Sequence, residues 1–459
     1  MQTEYSLSLA NPTPLHTSLR QKLALAAVAI GVLMCLIAWA SPTAAQLLPP
    51  SVFLAMSISL VSMGSIAFVH EEYDNKPEGI KNHGVFFKSL VTRGVWGWFL
   101  GVLLTGFYVC LYWFPEYLTG LVTVFDPLSK MMRGRPADSW FVYGTIYTLS
   151  VLLMGYKFAM KYRHNRYQLV RTASVTFFQL GFSFLIPSFL VLMNEPEYYF
   201  SYFWPLKTDS LKPDGIQWIV QSSSHGLGLF FIGFSILMTF VGVPILTYFF
   251  GKRWYCSWVC GCGGLAETVG DPFRQLSDKS MTAWKIERWM IHSVLIFVTV
   301  MTVLLWVNSA TKGQVLGSAS MAFSKTYGFL IGSIFSGVIG TGFYPILGSR
   351  SWCRFGCPQA AILGIFQKKK SKFRITTNGG QCISCGNCST YCEMGIDVRH
   401  YAQRGQDVVR ASCVGCGICA AVCPRGVLRL ENGGLDINER TEDVRAIHVK
   451  EGTLILDNF

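Results

Sequence analysis

Apolar residues recur along this chain in eight runs separated by polar stretches. They fall at about 23–40, 52–69, 95–114, 140–160, 173–193, 227–250, 289–307 and 328–347. Each approaches the roughly 20 apolar residues a helix needs to cross the hydrocarbon core. The pattern predicts a polytopic all-α membrane protein of about eight transmembrane helices. Residues 1–22 form a polar N-terminal tail, 23–223 a set of five spans, and 224–372 a second set. Beyond residue 348 the apolar pattern stops and closely spaced cysteines take over.

The first run follows Arg20 and Lys22 and precedes Ser41-Pro42-Thr43-Ala44-Ala45, which resembles a signal-peptidase site. The polar segment before it is long for a signal peptide, so a retained helix is the reading and a cleaved signal the alternative. The last run carries Gly328, Gly332, Ser336 and Gly340 every fourth residue, a small-residue stripe that lets another helix approach. Gly242 and Pro244 predict a bend near the end of the sixth run. Gln179, in the middle of the fifth, is expected to hydrogen-bond another helix.

Composition agrees with the pattern: 51% of residues are hydrophobic and 14% charged, too little charge for a soluble protein of 459 residues. The net charge of +13 does not point to nucleic acid, because the basic residues gather at the ends of the spans. One set of flanks (1–22, 70–93, 157–171, 251–288) holds 17 Lys and Arg, the opposite set 7. The excess predicts both termini on the cytoplasmic side of a bacterial inner membrane.

Thirteen of the fifteen cysteines lie between Cys256 and Cys423. Cys382-x2-Cys385-x2-Cys388-x3-Cys392 is repeated as Cys413-x2-Cys416-x2-Cys419-x3-Cys423-Pro424. This double run is the ligand pattern of a module with two [4Fe-4S] clusters, the fourth cysteine of each run serving the other cluster. One cluster is assigned to Cys382, Cys385, Cys388 and Cys423, the second to Cys413, Cys416, Cys419 and Cys392. Structural zinc sites usually show two separated pairs of ligands instead. The module, a bacterial ferredoxin-like α+β domain, is expected over 373–430, with a polar tail over 431–459. Glu393 follows Cys392 where Pro424 follows Cys423.

Two further motifs share the order basic, aromatic, Cys-x3-Cys. They are Lys252-Arg253-Trp254-Tyr255-Cys256-x3-Cys260-Gly261-Cys262 and Arg350-Ser351-Trp352-Cys353-x3-Cys357-Pro358. If the two loops meet, Cys256, Cys260, Cys353 and Cys357 place four thiolates at the membrane surface, enough for another cluster or a soft metal such as copper. Cys262 replaces Cys260 or is a spare. Cys35 and Cys110 lie inside apolar runs and read as buried hydrophobes. The basic run Lys368, Lys369, Lys370 and Lys372 reads as a headgroup contact or a solvated linker. His70, with Glu71 and Glu72, and His292 lie near span ends, as candidates for a quinone pocket or haem ligands. His225 stands near the opposite face.

With these loops and the double run in view, residues 224–430 resemble the membrane polyferredoxin family of the NapH, NosR, MauN and CcoG types. The second loop matches that family's Cys-x3-Cys-Pro pattern; the first has Gly261-Cys262 where the family has proline. The resemblance implies a membrane-bound iron–sulfur electron-transfer protein. Its electrons would pass between the quinone pool or a membrane partner and cytoplasmic-side clusters, within a respiratory or redox complex. The alternative is a maturation factor that supplies electrons or reduced copper to a metalloenzyme. Whether the chain is itself an oxidoreductase stays open at this level.

Overall fold

The computed structural model describes residues 18–43, 46–74, 93–224, 226–317 and 328–432, four positions between 318 and 327, and the backbone of 447–450 and 453–456. Its main helices are α1 (Leu19–Ala40), α2 (Pro50–Tyr73), α3 (Val95–Trp113), α4 (Thr119–Arg133), α5 (Ser139–Lys161), α6 (Arg166–Leu192), α7 (Pro213–Ser222), α8 (Leu227–Phe250), α9 (Gly261–Thr268), α10 (Met281–Ala310), α11 (Gly328–Ile339) and α12 (Pro358–Lys370). Local chemistry sets several of the starts. Ser18 and Gln21 form a reciprocal capping box at α1. Asp138, Asn165 and Ser280 accept the first free N–H groups of α5, α6 and α10.

Every predicted run falls on helix. Among the described residues, α1, α2, α3, α6, α8 and α10 are long and apolar enough to cross a membrane. The fourth run is α5, which has 23 residues but buries Thr145 and Thr148 and ends in Lys161. The eighth run is divided into the 12-residue α11, a turn at 340–343 and the single turn Tyr344–Leu347. Glycines at 340 and 342 favour that turn, and Pro345 cannot continue a ladder through it. The stretch read as a connection at 114–138 holds α4, which buries Leu121, Val124 and Phe125 against Phe53 and Leu54 of α2 and Val142 of α5.

The expected bend in α8 is a π-turn at Met238–Gly242, directly before Pro244, whose missing N–H shifts the ladder. The glycine stripe of α11 works differently from its sequence reading. Space around Gly328 and Gly332 is open, whereas a Cβ on Gly337, which lies off the stripe, would stand 2.5 Å from the Tyr112 ring of α3. Close approaches are made at Gly337 and, within the stripe, at Gly340, where a Cβ would stand 2.8 Å from the Trp352 Cβ.

The cysteine-rich module is closed by β1 (Phe373–Thr377) pairing antiparallel with β2 (Leu428–Asn432), from Phe373↔Asn432 to Thr377↔Leu428. It ends two residues beyond the expected boundary. In the tail, β3 (Ile447–Lys450) and β4 (Thr453–Leu456) form an antiparallel hairpin. The module packs directly on the first cysteine loop. Phe373, Ile375, Met394, Val408 and Val414 share one buried core with Tyr255, Cys256 and Cys260.

Candidate functional site

The two four-cysteine runs adopt the same local form. Gly386 (φ 82°) and Gly417 (φ 74°) open the short helices Asn387–Thr390 and Ile418–Ala421, which carry Cys388 and Cys419. The residue before each second cysteine also has positive φ: Ser384 at 58° and Gly415 at 64°. A serine in the left-handed region is uncommon, and here it turns the chain back between two cysteines. Backbone N–H groups then point at sulfur: Gly415 donates to Cys413, and Met394 and Ile396 to Cys392.

Cys382, Cys385, Cys388, Cys423 and Pro424 line one cavity. Cys416, Cys413, Cys392 and Cys388 all lie close enough to Cys419 for their charges to act on it. Burial pushes Cys388 and Cys413 up to about 11, so as free thiols they hold their protons at neutral pH. A bound metal centre displaces such protons, and sulfur-only donors in a partly dry core fit an iron–sulfur cubane.

The two Cys-x3-Cys loops meet. Cys256, Cys260, Cys353 and Cys357 are all buried, and each acts electrostatically on the others. Burial pushes Cys256 up to about 12. Cys262 hydrogen-bonds to Cys260; that bond draws Cys260 down to about 7 and, with burial, raises Cys262. The first loop is drawn in among the helices. Ser174 donates to the Trp258 carbonyl (3.2 Å), Gln179 to Val259 (3.0 Å) and Tyr147 to Gly261 (2.7 Å). Tyr147 lies about 21 Å along α5 from Lys161 at ~1.5 Å per residue. Gln179 thus bonds both the loop and, through Tyr147, another helix (3.0 Å). The segment between α6 and α7 also turns inward, with Tyr255 donating to the Ser201 carbonyl at 2.7 Å. Irregular backbone at this depth is tolerated because protein surrounds it. Gly263 permits the tight fold, since a Cβ there would collide with the Cys256 carbonyl.

A buried ionic network, invisible in the motifs, fastens these parts together. Glu267 of α9 accepts from Arg274 (2.7 Å) and Arg350 (2.6 Å) and forms an ion pair with Arg171 (2.7 Å). Glu393 of the module pairs with Arg274 (2.7 Å) and Arg350 (3.1 Å). Arg350 also reaches the Cys353 sulfur at 3.7 Å and the Cys256 carbonyl at 3.1 Å. The replacement of proline by Glu393 was the one sequence signal of this network. Three neutral contacts add to it: Tyr167 to the Gly415 carbonyl (2.9 Å), Gln168 to Cys416 (3.0 Å) and Ser257 to Val414 (2.9 Å). Glu267, Glu393 and Cys416 also have ligand atoms within 4.8 Å of one another. The arginines between the carboxylates already fill the place a cation would take.

Asp271 closes the network against Lys161 (2.7 Å) and Arg274 (2.9 Å). Burial pushes its carboxyl up, but Lys161, Arg274 and Lys157 together outweigh burial and hold it down at about 2. The unfolded carboxyl titrates near 3.9, so this stabilisation is full above about pH 4 and disappears as pH falls toward 2. Asp271→Asn is therefore expected to lower the denaturation midpoint by a constant amount from about pH 8 to 5, with the gap closing below about pH 4. Paired denaturant titrations of the two proteins across that range measure it.

The histidine candidates stand apart. His70 faces Asp74 on its own helix at 3.7 Å, and Glu72 accepts from Gln21 of α1 at 2.9 Å. Glu71 lies beside them on α2. His292 is on α10, in the wall of a cavity of about 690 Å³ that also touches Trp284, Lys252, Cys353 and Arg410. His225 lies outside the described residues. Lys372 is engaged rather than free, over the rings of Tyr248 (5.4 Å) and Phe249 (5.6 Å).

Comparison with known proteins agrees with this division. Residues 232–280 and 328–376 match the family described as "4Fe-4S binding domain", and residues 381–428 match "4Fe-4S dicluster domain". The first match covers both Cys-x3-Cys loops, the second all eight module cysteines. The chain is similar to the "Putative electron transport protein YccM" of Escherichia coli (strain K12), at 27% identity over 184 residues. That stretch is 36% of this chain and 46% of that protein, so the likeness spans under half of either. No solved structure matches. The chain thus carries regions that match 4Fe-4S binding domains, together with six helices, among the described residues, that are long and apolar enough to cross a membrane.

Proposed function

We propose that this protein moves electrons along three [4Fe-4S] clusters, between the quinone pool or a redox partner in the membrane and the outer face of the ferredoxin module. The outer cluster takes Cys382, Cys385, Cys388 and Cys423. The inner cluster takes Cys413, Cys416, Cys419 and Cys392. Cys256, Cys260, Cys353 and Cys357 hold the third, with Cys262 as hydrogen-bonding neighbour to Cys260. The observation that carries this reading is the continuity of the sulfur sites. Nine cysteines from the first loop and the module belong to, or pack against, one buried core. The clusters supply one-electron redox chemistry. The chain excludes water from the thiols, aims N–H groups at their sulfurs and holds the three sets in register through the Glu267–Glu393 network. The excess of basic residues on one set of flanks supports a module on the cytoplasmic side of a bacterial inner membrane.

The quinone terminus rests on the cavity beside His292, which has Cys353 in its wall and lies at the end of a long apolar helix. A quinol bound there would supply two electrons, to be taken up one at a time by a cluster held by Cys256, Cys260, Cys353 and Cys357, and would release two protons. Anaerobic mixing of the oxidised protein with a menaquinol, and of the reduced protein with a menaquinone, tests it. Bleaching or recovery of cluster absorbance is the expected result. Three intact clusters that respond to neither form would leave a protein partner as the membrane terminus.

A further inference from the structure

Lys252 is fully buried. Its ammonium donates to the Ala411 carbonyl at 3.3 Å, and among the described residues it forms no ion pair with a carboxylate. Its backbone is pinned by the Gln367 side chain at 2.6 Å. An isolated buried ammonium is costly, and proteins ordinarily pair it. The nearby guanidinium of Arg350 has its partners in Glu267 and Glu393; Lys252 has none of this kind.

Its position supplies the answer. The Lys252 charge acts on Cys256 and Cys353 of the membrane loops, and also on Cys413 of the module. Lys252 also shares a cavity wall with Cys353, caps the helical turn that carries Cys256 and bonds Ala411 two residues before Cys413, so it stands between two thiol sets. A cubane held by four thiolates is an anion in either redox state, and more so when reduced, so a fixed cation beside it favours the reduced form. The outer set around Cys385 lines a different cavity, without Lys252 in its wall.

We infer that Lys252 is the shared counter-cation of the membrane-loop cluster and the inner module cluster, raising the reduction potential of both relative to the outer cluster. The inference rests on the three-cluster reading above. The step it affects moves one electron between neighbouring clusters: one is oxidised, the other reduced, no covalent bond changes and no proton moves. Lys252 acts as a positioning residue for charge, not as a ligand.

The test is an anaerobic redox titration of the full chain in nanodiscs, followed by electron paramagnetic resonance, for the wild type, Lys252→Met and Lys252→Arg. In Lys252→Met the two inner signals should titrate at lower potential. The expected shift is at least a tenfold change in the reduced-to-oxidised ratio at fixed poise, about 59 mV for one electron. The outer signal should move less, and Lys252→Arg should restore the wild-type order. Equal movement of all three signals, or none, overturns the proposal. If Lys252→Met loses iron, Lys252→Gln carries the same measurement. Iron loss in both neutral variants with retention in Lys252→Arg supports the counter-cation, and loss in all three rejects it. Iron counts on the wild type separate the two failures. Fewer than three clusters there would defeat the three-cluster reading itself, whereas three clusters with unmoved potentials would defeat only the role of Lys252.

Discussion

Glu267→Gln is expected to destabilise the protein by about 3–5 kcal/mol, the cost of removing one partner from a buried ion pair. Glu267 is 2% exposed, and three guanidiniums converge on it. The amide matches the carboxylate in shape but carries no charge, so Arg171 loses its ion-pair partner and Arg274 and Arg350 keep only Glu393 and Asp271. Size is unchanged, so the loss reports the missing charge together with the acceptor oxygen that becomes an amide donor facing a guanidinium. The effect should be concentrated where the network joins the module to the membrane helices. Hydrogen exchange is expected to rise first at residues 393–396 and 414–417, before the distant α1–α2 pair responds. Asp407→Asn is the matching surface control. Its pair with Arg374 is 4.0 Å long and one-third exposed on both sides, and pairs of that kind contribute about 0–1 kcal/mol. Thermal unfolding of the three proteins compares them. An equal, small loss for Glu267→Gln and Asp407→Asn would mean that the network does not hold the module in place.

The second large effect is on iron. Wild-type protein is expected to hold about twelve irons and as many acid-labile sulfides per chain, four for each cubane. Cys353→Ser combined with Cys357→Ser should reduce both counts to about eight while the module clusters keep their signals. The reason is geometric. Cys353 and Cys357 come from the second loop, and the module cysteines belong to a separately closed unit bounded by β1 and β2. Cys262→Ser is expected to leave the count near twelve and to alter the spectrum of the membrane-loop cluster, because Cys262 acts on Cys260 through a hydrogen bond. About eight irons in the wild type, with copper in the purified protein, would instead favour a metal-handling role for these loops.

Much of the site was legible because its chemistry is local. Three cysteines within seven residues can wrap one cluster whatever surrounds them, and the fourth of each run serves the other cluster, so the double run predicted its two sets without a fold. The same holds for the duplicated order basic, aromatic, Cys-x3-Cys. Its basic members Lys252 and Arg350 prove to be buried. The apolar runs were equally readable, since the length and composition that make a span belong to one continuous stretch. What was missed lies between distant stretches. Glu267 meets Arg350 across 83 positions, and Arg274 meets Glu393 across 119. No periodicity or spacing records such a meeting.

The sequence by itself therefore determined that this is a membrane chain with iron–sulfur ligands, because hydropathy and ligand spacing are properties of neighbours along the chain. Only the tertiary structure decided that the two membrane loops meet and sink beside Tyr147 and Gln179. It alone showed that Gly337 rather than the glycine stripe makes room for Tyr112, and that Glu393 locks the module onto both loops. Those outcomes depend on burial, where an unpaired charge is costly and a missing Cβ decides how closely two segments approach.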